Sequence, residues 1–345
     1  MILSFQASDR LLVIAPHPDD ESLATGGLIQ RAKEVGAVVR VVFATNGDNN
    51  PWPQRWTEKR WQIGTRERRR WGALRRREAR KALQQLGLAE KPRFLNLPDQ
   101  GITAKLLEAD AETLERLCCE IEEWQPTRLV LPSPHDQHPD HNALYVLLQI
   151  ALERLGRTDM TQLHFLVHCR RPDWIPCRRE LVLTEPERQT KWQAIHCHQT
   201  QMVLSRKRFL SYARPVENFY QPASVEPLLA HHPLGGAWVS AGVLNLSLIV
   251  PAKWRPRGSI FIAGESPEAG SLRWRLKLPA ASRKVRLRDA ATDALLRYAT
   301  VRITGQLVQV KIPLSNFQPL TRLFVKLDRR TVFLDTAGWR EVPVR

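Results

Sequence analysis

Apolar positions in the first half of the chain come in short, nearly unbroken runs separated by stretches of helical period. Leu11–Ala15 (LLVIA) and Val38–Ala44 (VVRVVFA) lack the alternation of a half-exposed strand, so they read as strands of a parallel sheet buried on both faces. Between them, Leu23 to Val35 has helical spacing and stops at Gly36, a suitable C′ residue. A basic, tryptophan-bearing segment (Trp52, Trp56, Trp61, Trp71) then merges into a helix ending at Leu86-Gly87. A third strand at Phe94–Leu97, an amphipathic helix over Leu107–Trp124, a fourth strand at Arg128–Leu131 and a helix over Asn142–Leu155 follow. Strands alternating with helices predict right-handed βαβ units. The expected fold class is α/β: a Rossmann-like, mostly parallel sheet with helices on both faces.

After about Val250 the texture changes. Short β-like runs at Ser259–Ala263, Leu272–Leu278, Lys284–Leu287, Ala299–Ile303, Leu307–Ile312, Thr321–Leu327 and Thr331–Leu334 are separated by turn residues. That rhythm predicts a C-terminal all-β domain, a small antiparallel sandwich or barrel. The expected organisation is a first domain over 1–225 and a second over 250–345, joined between about Ala223 and Pro251. Removing the chain after about Val250 is expected to spare any site in the first domain.

Composition narrows the class. The 345 residues are 43% hydrophobic and 25% charged, as in an ordinary globular protein. Charge or proline interrupts every apolar run before it reaches the length of a membrane span. Met1–Arg10 lacks the basic and apolar regions of an export signal. Five irregularly spaced cysteines (Cys118, Cys119, Cys169, Cys177, Cys197) suit reduced thiols, so the expected location is cytoplasmic. The net charge of +17 is uneven: Arg55–Lys81 carries twelve Lys and Arg against three acids, and Pro251–Arg345 nineteen against seven. Such faces attract an anionic substrate or the inner face of a membrane, or are simply a solvated, arginine-rich surface.

Candidate chemistry lies just past two strand ends, where an open α/β sheet places its functional residues. Pro16-His17-Pro18-Asp19-Asp20-Glu21 follows the first strand, and His135-Asp136-Gln137-His138-Pro139-Asp140-His141 follows the fourth. Two imidazoles and a carboxylate hold a zinc-type ion with one position open, and a further carboxylate can act as base on its water. Singly these signals are weak, since a lone loop histidine is usually structural and an Asp-Asp pair at a helix start is often a cap. Their joint occurrence about 120 positions apart is the stronger signal.

Together APHPDDE (Ala15–Glu21) and PSPHDQHPDH (Pro132–His141) resemble the LmbE/PIG-L family of zinc-dependent N-deacetylases. Its members include the mycothiol and bacillithiol pathway deacetylases and the GlcNAc-phosphatidylinositol deacetylase. Supporting stretches are Thr45–Asp48, Arg75–Ala79 leading to Leu86-Gly87, Leu97–Gly101, Lys191–Ala194 with His198–Gln201, and Glu217–Phe219, so the resemblance covers roughly residues 10–220. It implies His17, Asp20 and His141 as ligands of Zn2+, or of Fe2+ or another divalent metal in the cell. It also implies Asp19 as general base, and His138 as the group that stabilises the oxyanion or protonates the departing amine. Asp136 and Asp140 would orient imidazoles, and Arg75 and His198 would contact substrate or support the site.

The implied activity is hydrolysis of a linear amide, the N-acetyl group of an amino-sugar conjugate. The implied partner is a small amino sugar or glycoconjugate, with no specific nucleic acid. Competing readings are a deacylase of an acylated antibiotic or nucleoside, and a non-catalytic module that holds polyanions on its basic faces. The long Trp52–Trp71 segment is a lid, a sugar-stacking platform, a lipid contact or an ordinary packed helix. The β region lies outside the family's core.

Overall fold

The structure, a computed structural model, describes residues 3–158, 160–169, 178–221, 232–253, 258–268, 270–314, 319–328, 334–335 and 337–344. The chain divides into two compact units, Met1–Ile102, Cys118–Ser133 and Asp159–Pro222 forming one, and Thr103–Leu117, Pro134–Thr158 and Ala223–Arg345 the other.

In the first unit, strands β1 (Arg10–Ala15), β2 (Val38–Thr45), β3 (Arg93–Leu97), β4 (Arg128–Pro132), β5 (Thr161–Phe165), β6 (Arg178–Val182) and β7 (Val216–Tyr220) form one sheet. Their order is β3-β2-β1-β4-β5-β7-β6. The first five run parallel, and β7 is antiparallel to β5 and β6. This is the doubly wound order, with its switch point where β1 lies between β2 and β4. Leu11 to Ala15 are wholly buried, which is why β1 shows no polar alternation. Helix α1 (Asp20–Glu34) starts directly off β1, with Asp20 and Glu21 in the first turn, where carboxylates suit the positive helix end. Inside α1, the backbone amides of Gly27 and Leu28 donate to Glu217 Oε1 and Oε2 (2.6 and 2.9 Å), and Lys191 Nζ donates to Glu217 Oε1 (2.6 Å). Gly27 suits this close approach, because a Cβ would stand 2.3 Å from a methyl carbon of Leu183 and force that side chain to move. The basic segment folds as α2 (Pro51–Glu58) and α3 (Thr65–Gln85); Trp71 is buried, but Trp52, Trp56 and Trp61 are exposed. Helices α7 (Glu185–His196) and α8 (Gln199–Leu210) complete this unit.

One expected helix over Leu107–Trp124 is instead two, α4 (Ile102–Leu107) and α5 (Ala111–Trp124). Asp110 accounts for the break: its Oδ2 accepts from the backbone amide and hydroxyl of Thr113 (2.9 and 2.6 Å) and so caps a new helix.

Among the described residues the second unit has nine antiparallel strands in one curled sheet, a half-barrel rather than two packed sheets. They are β8 (Leu234–Ser240), β9 (Val243–Ile249), β10 (Ser259–Ser266), β11 (Gly270–Lys277), β12 (Arg283–Asp289), β13 (Leu295–Thr304), β14 (Leu307–Pro313), β15 (Arg322–Asp328) and β16 (Arg340–Glu341). Alternate residues such as Ile262, Trp274, Leu276, Leu287, Val301 and Val310 form its core. Helix α6 (Pro139–Arg154) also belongs to this unit, with Tyr145 edge-on to Phe324 of β15 at 6.4 Å. The strand expected at Thr331–Leu334 falls on 331–333, outside the described residues. No helix among the described residues is long and apolar enough to cross a membrane, and no disulfide joins the described cysteines.

Candidate active site

The turn after β1 is fixed from below by Thr45, whose amide and hydroxyl both donate to the Pro16 carbonyl at 3.0 Å. His17 is buried there, with its backbone amide donating to Asp20 Oδ2 (2.9 Å) and Nδ1 lying 3.2 Å from the same oxygen. Its Nε2 lies 3.3 Å from Asp99 Oδ1. Burial works to raise the pKa of Asp99, but the hydrogen bond and charge of His17 and the Asn49 amide (2.6 Å) outweigh it and hold the carboxyl at about 2. Asp20 also comes within 4.8 Å of a ring nitrogen of His168.

Asp19 adopts φ 141°, a region that L-residues seldom occupy. The buried Arg75 clamps it: Nη2 donates to Asp19 Oδ2 (3.0 Å) and to the Pro18 carbonyl (2.6 Å), and Nη1 to the Gly47 carbonyl (2.6 Å). Burial pushes the Asp19 carboxyl up to about 6; Arg75 opposes the shift and Asp20 adds to it. Gly47 is required for the clamp, since its φ is +62° and a Cβ would stand 1.8 Å from Arg75 Nη1. Behind the turn, Glu21 Oε2 accepts from the Asp19 amide (2.8 Å), while Oε1 accepts from Ser22 (2.7 Å) and pairs with His198 Nε2 (2.9 Å). Burial alone would lower the pKa of His198, but the Glu21 carboxylate more than offsets this and the imidazole titrates above its usual value. Arg75 and His198 therefore serve the backbone and carboxylates of the 17–21 turn. Glu78 on α3 accepts from the amide and hydroxyl of Thr200 (2.9 and 2.5 Å), which fixes the start of α8.

The second motif is built within the other unit. His138 is the N-cap of α6; its Nδ1 accepts from the Asp140 amide (3.2 Å), which leaves the proton of the neutral ring on Nε2. Asp136 Oδ1 accepts from the His138 amide (2.9 Å), and Oδ2 lies 3.2 Å from Nδ1 of the fully buried His141. The His138 and His141 rings are 5.1 Å apart. The end of the β region reaches this loop directly. Arg340 Nη1 donates to the Pro134 carbonyl (2.7 Å), the Asp335 amide donates to the Gln137 carbonyl (2.6 Å), and the Trp339 amide donates to Asn142 Oδ1. Gly338 permits this approach, since a Cβ would stand 2.6 Å from Asn142 Oδ1. These bonds weigh against the expectation that removing the chain after about Val250 spares the site.

Imidazole and carboxylate, the donor types a zinc-type ion takes, gather in both motifs. His17 with Asp99, Asp20 with His168, and His138 with His141 each offer donor atoms within 4.8 Å of one another. Sequence reasoning gave no role to Asp99, Glu21 or His168. The LPDQG turn was the available signal for Asp99, and nothing near His168 in the sequence marks it.

Residues 12–152 match the family described as PIG-L: GlcNAc-PI de-N-acetylase. The probable N-acetyl-alpha-D-glucosaminyl L-malate deacetylase 2 of Bacillus cereus is 27% identical over 184 residues, 51% of this chain and 73% of the relative. The 1D-myo-inositol 2-acetamido-2-deoxy-alpha-D-glucopyranoside deacetylase of Rhodococcus jostii is 31% identical over 167 residues, 43% of this chain and 54% of the relative, about half its length. Among solved structures, the conserved protein TT1542 of Thermus thermophilus has 22% identity and a TM-score of 0.47, covering 65% of this chain and 99% of that one.

Proposed function

We propose that this chain, whose residues 12–152 form a PIG-L family domain, is a metal-dependent amidohydrolase that removes the acetyl group from the nitrogen of an N-acetylglucosaminyl conjugate. The observation that carries the reading is Asp19: a buried carboxylate, raised to about 6, standing beside the His17–Asp20 pair and held in place by Arg75.

The proposed ligands are His17, Asp20 and His141, and zinc is the ion their imidazole and carboxylate donors suit best. Bound there, the metal would supply a nucleophile at neutral pH and polarise the amide carbonyl. Asp19 takes the proton from the attacking water, its carboxyl raised by burial towards the basicity a general base needs. Its protonated form then returns the proton to the departing amine. His138 presents Nε2–H to the developing oxyanion, because Asp140's amide occupies Nδ1. Asp136 orients the His141 ring and fixes its tautomer. Arg75 and Glu21 hold Asp19 and its backbone in place before substrate arrives.

The test is acetate release by the purified protein from N-acetylated sugars, nucleotide sugars and glycolipids, with metal content measured on the same samples. Release from at least one glucosaminyl conjugate, abolished by chelation and restored by zinc or ferrous iron, is the expected result. Stoichiometric metal with no acetate from any amino sugar would overturn the substrate assignment. Protein that never retains metal would overturn the mechanism.

A further inference from the structure

The half-barrel of the second unit has a groove of about 1130 Å3 on the solvent face of β10–β13. Six cations line it, Arg275, Lys277, Arg283, Lys284, Arg286 and Arg288, against two acids, Asp293 and Asp328. The strand pleat explains the segregation. Trp274, Leu276, Val285, Leu287 and Ala299 point into the core, so Arg275, Lys277, Lys284, Arg286 and Arg288 face out together, and Arg283 joins them at the exposed start of β12. Cross-strand partners on this face include Arg275 opposite Arg288 and Arg286 opposite Tyr298. Asp293 lies against the first pair, 2.5 Å from Arg275 and 3.5 Å from Arg288. Lys277, Arg283, Lys284 and Arg286 are exposed and make no ion pair with any described residue. Like charges gathered on one sheet face destabilise it, and a concave basic wall focuses its field on an anion.

We infer that this groove binds an anionic polysaccharide whose sugars carry carboxylate groups. Arginine forks match a planar carboxylate through two parallel hydrogen bonds. The cations are spread over adjacent strands from Arg275 and Lys277 on β11 to Arg283–Arg288 on β12, a row of charge that suits a chain of anionic sugars. Tyr298, half exposed and directly opposite Arg286, offers one flat apolar surface for a sugar ring. Single-stranded nucleic acid stacks successive bases on several rings, and the other aromatic residue lining this groove, Phe261, is only partly exposed. The site is independent of the deacetylase reading and stands or falls without it.

The experiment measures binding of oligogalacturonate to the full chain by calorimetry, with dextran and a single-stranded oligonucleotide as comparison ligands. The K284E/R286E double variant should weaken oligogalacturonate binding by tenfold or more, roughly the worth of one charged hydrogen bond. R66E/R69E, with the same charge change on exposed α3 positions, should leave it unchanged, and Tyr298→Ala should weaken it by about threefold or more, as loss of a ring contact would. Melting curves establish that each variant is folded. Equal losses in the two double variants would reduce the groove to unspecific charge. Tighter binding of the oligonucleotide, or equal binding of dextran, would overturn the ligand class, and no binding of oligogalacturonate would remove the site.

Discussion

Asp19 is held at a backbone angle that few residues tolerate by an arginine reached from α3, and it is the proposed general base. Asp19→Asn should lower kcat by roughly 10²–10⁴-fold, the usual worth of a general base, while metal analysis shows unchanged content. Equal loss of metal and activity would place Asp19 among the ligands instead. Arg75→Met strands a buried carboxylate without its cation, a defect that costs about 3–5 kcal/mol, seen as a lowered urea midpoint. Arg75→Lys should recover much of that stability and little of kcat, because one ammonium cannot bridge Asp19, Pro18 and Gly47 as the guanidinium does; full recovery of kcat would show that charge alone matters. His17, Asp19 and Asp20 could be read from the sequence because they stand together in one short turn. His168 could not, since it reaches that turn from a distant strand end with nothing near it to mark it, and of Asp99 only the LPDQG turn was legible, its approach to His17 being made by folding.

Among the elements, α1 depends on a residue some 190 positions away. Glu217 receives two of its amides and the Lys191 ammonium in a buried spot, so Glu217→Ala should destabilise the first unit by about 3–5 kcal/mol, measured by urea unfolding. A loss below 1 kcal/mol would mean that the amides find other acceptors. In the half-barrel, burial holds His232 well below its usual value, and Arg340 adds to the effect. The unfolded chain binds this proton near pH 6.5 while the folded chain does not. The stability it contributes is therefore complete above pH 6.5 and declines as pH falls below that value towards the folded pKa. His232→Gln should flatten the urea midpoint between pH 8 and pH 5.5; an unchanged slope would assign the acid sensitivity elsewhere. Strands β1, β2 and β4 were legible as apolar runs because both faces are covered. Strand β8 was not, because Gly235 and Gly236 interrupt its pattern, and β5 was hidden by the buried polar pair Gln162 and His164.

At the scale of the molecule, the sequence showed a change of texture near Val250 but not that the later part reaches back to a motif loop. Cutting the chain after Val250 deletes Asp335, Trp339 and Arg340, and with them three bonds to Pro134–Asn142. Metal content of the truncated protein should fall well below one ion per chain, and proteolysis should open the 134–142 loop. Full metal retention would show that the loop holds its shape unaided. The division of the chain has a further consequence for biosynthesis. Thr103–Leu117 and Pro134–Thr158 belong to the same unit as Ala223–Arg345, which the ribosome makes after them. At ~5–20 residues per second, His138 and His141 emerge on the order of ten seconds before the strands that fasten their loop. The nascent chain thus carries an unfastened histidine cluster, and on the proposed reading metal loading would follow the synthesis of Asp335–Arg340.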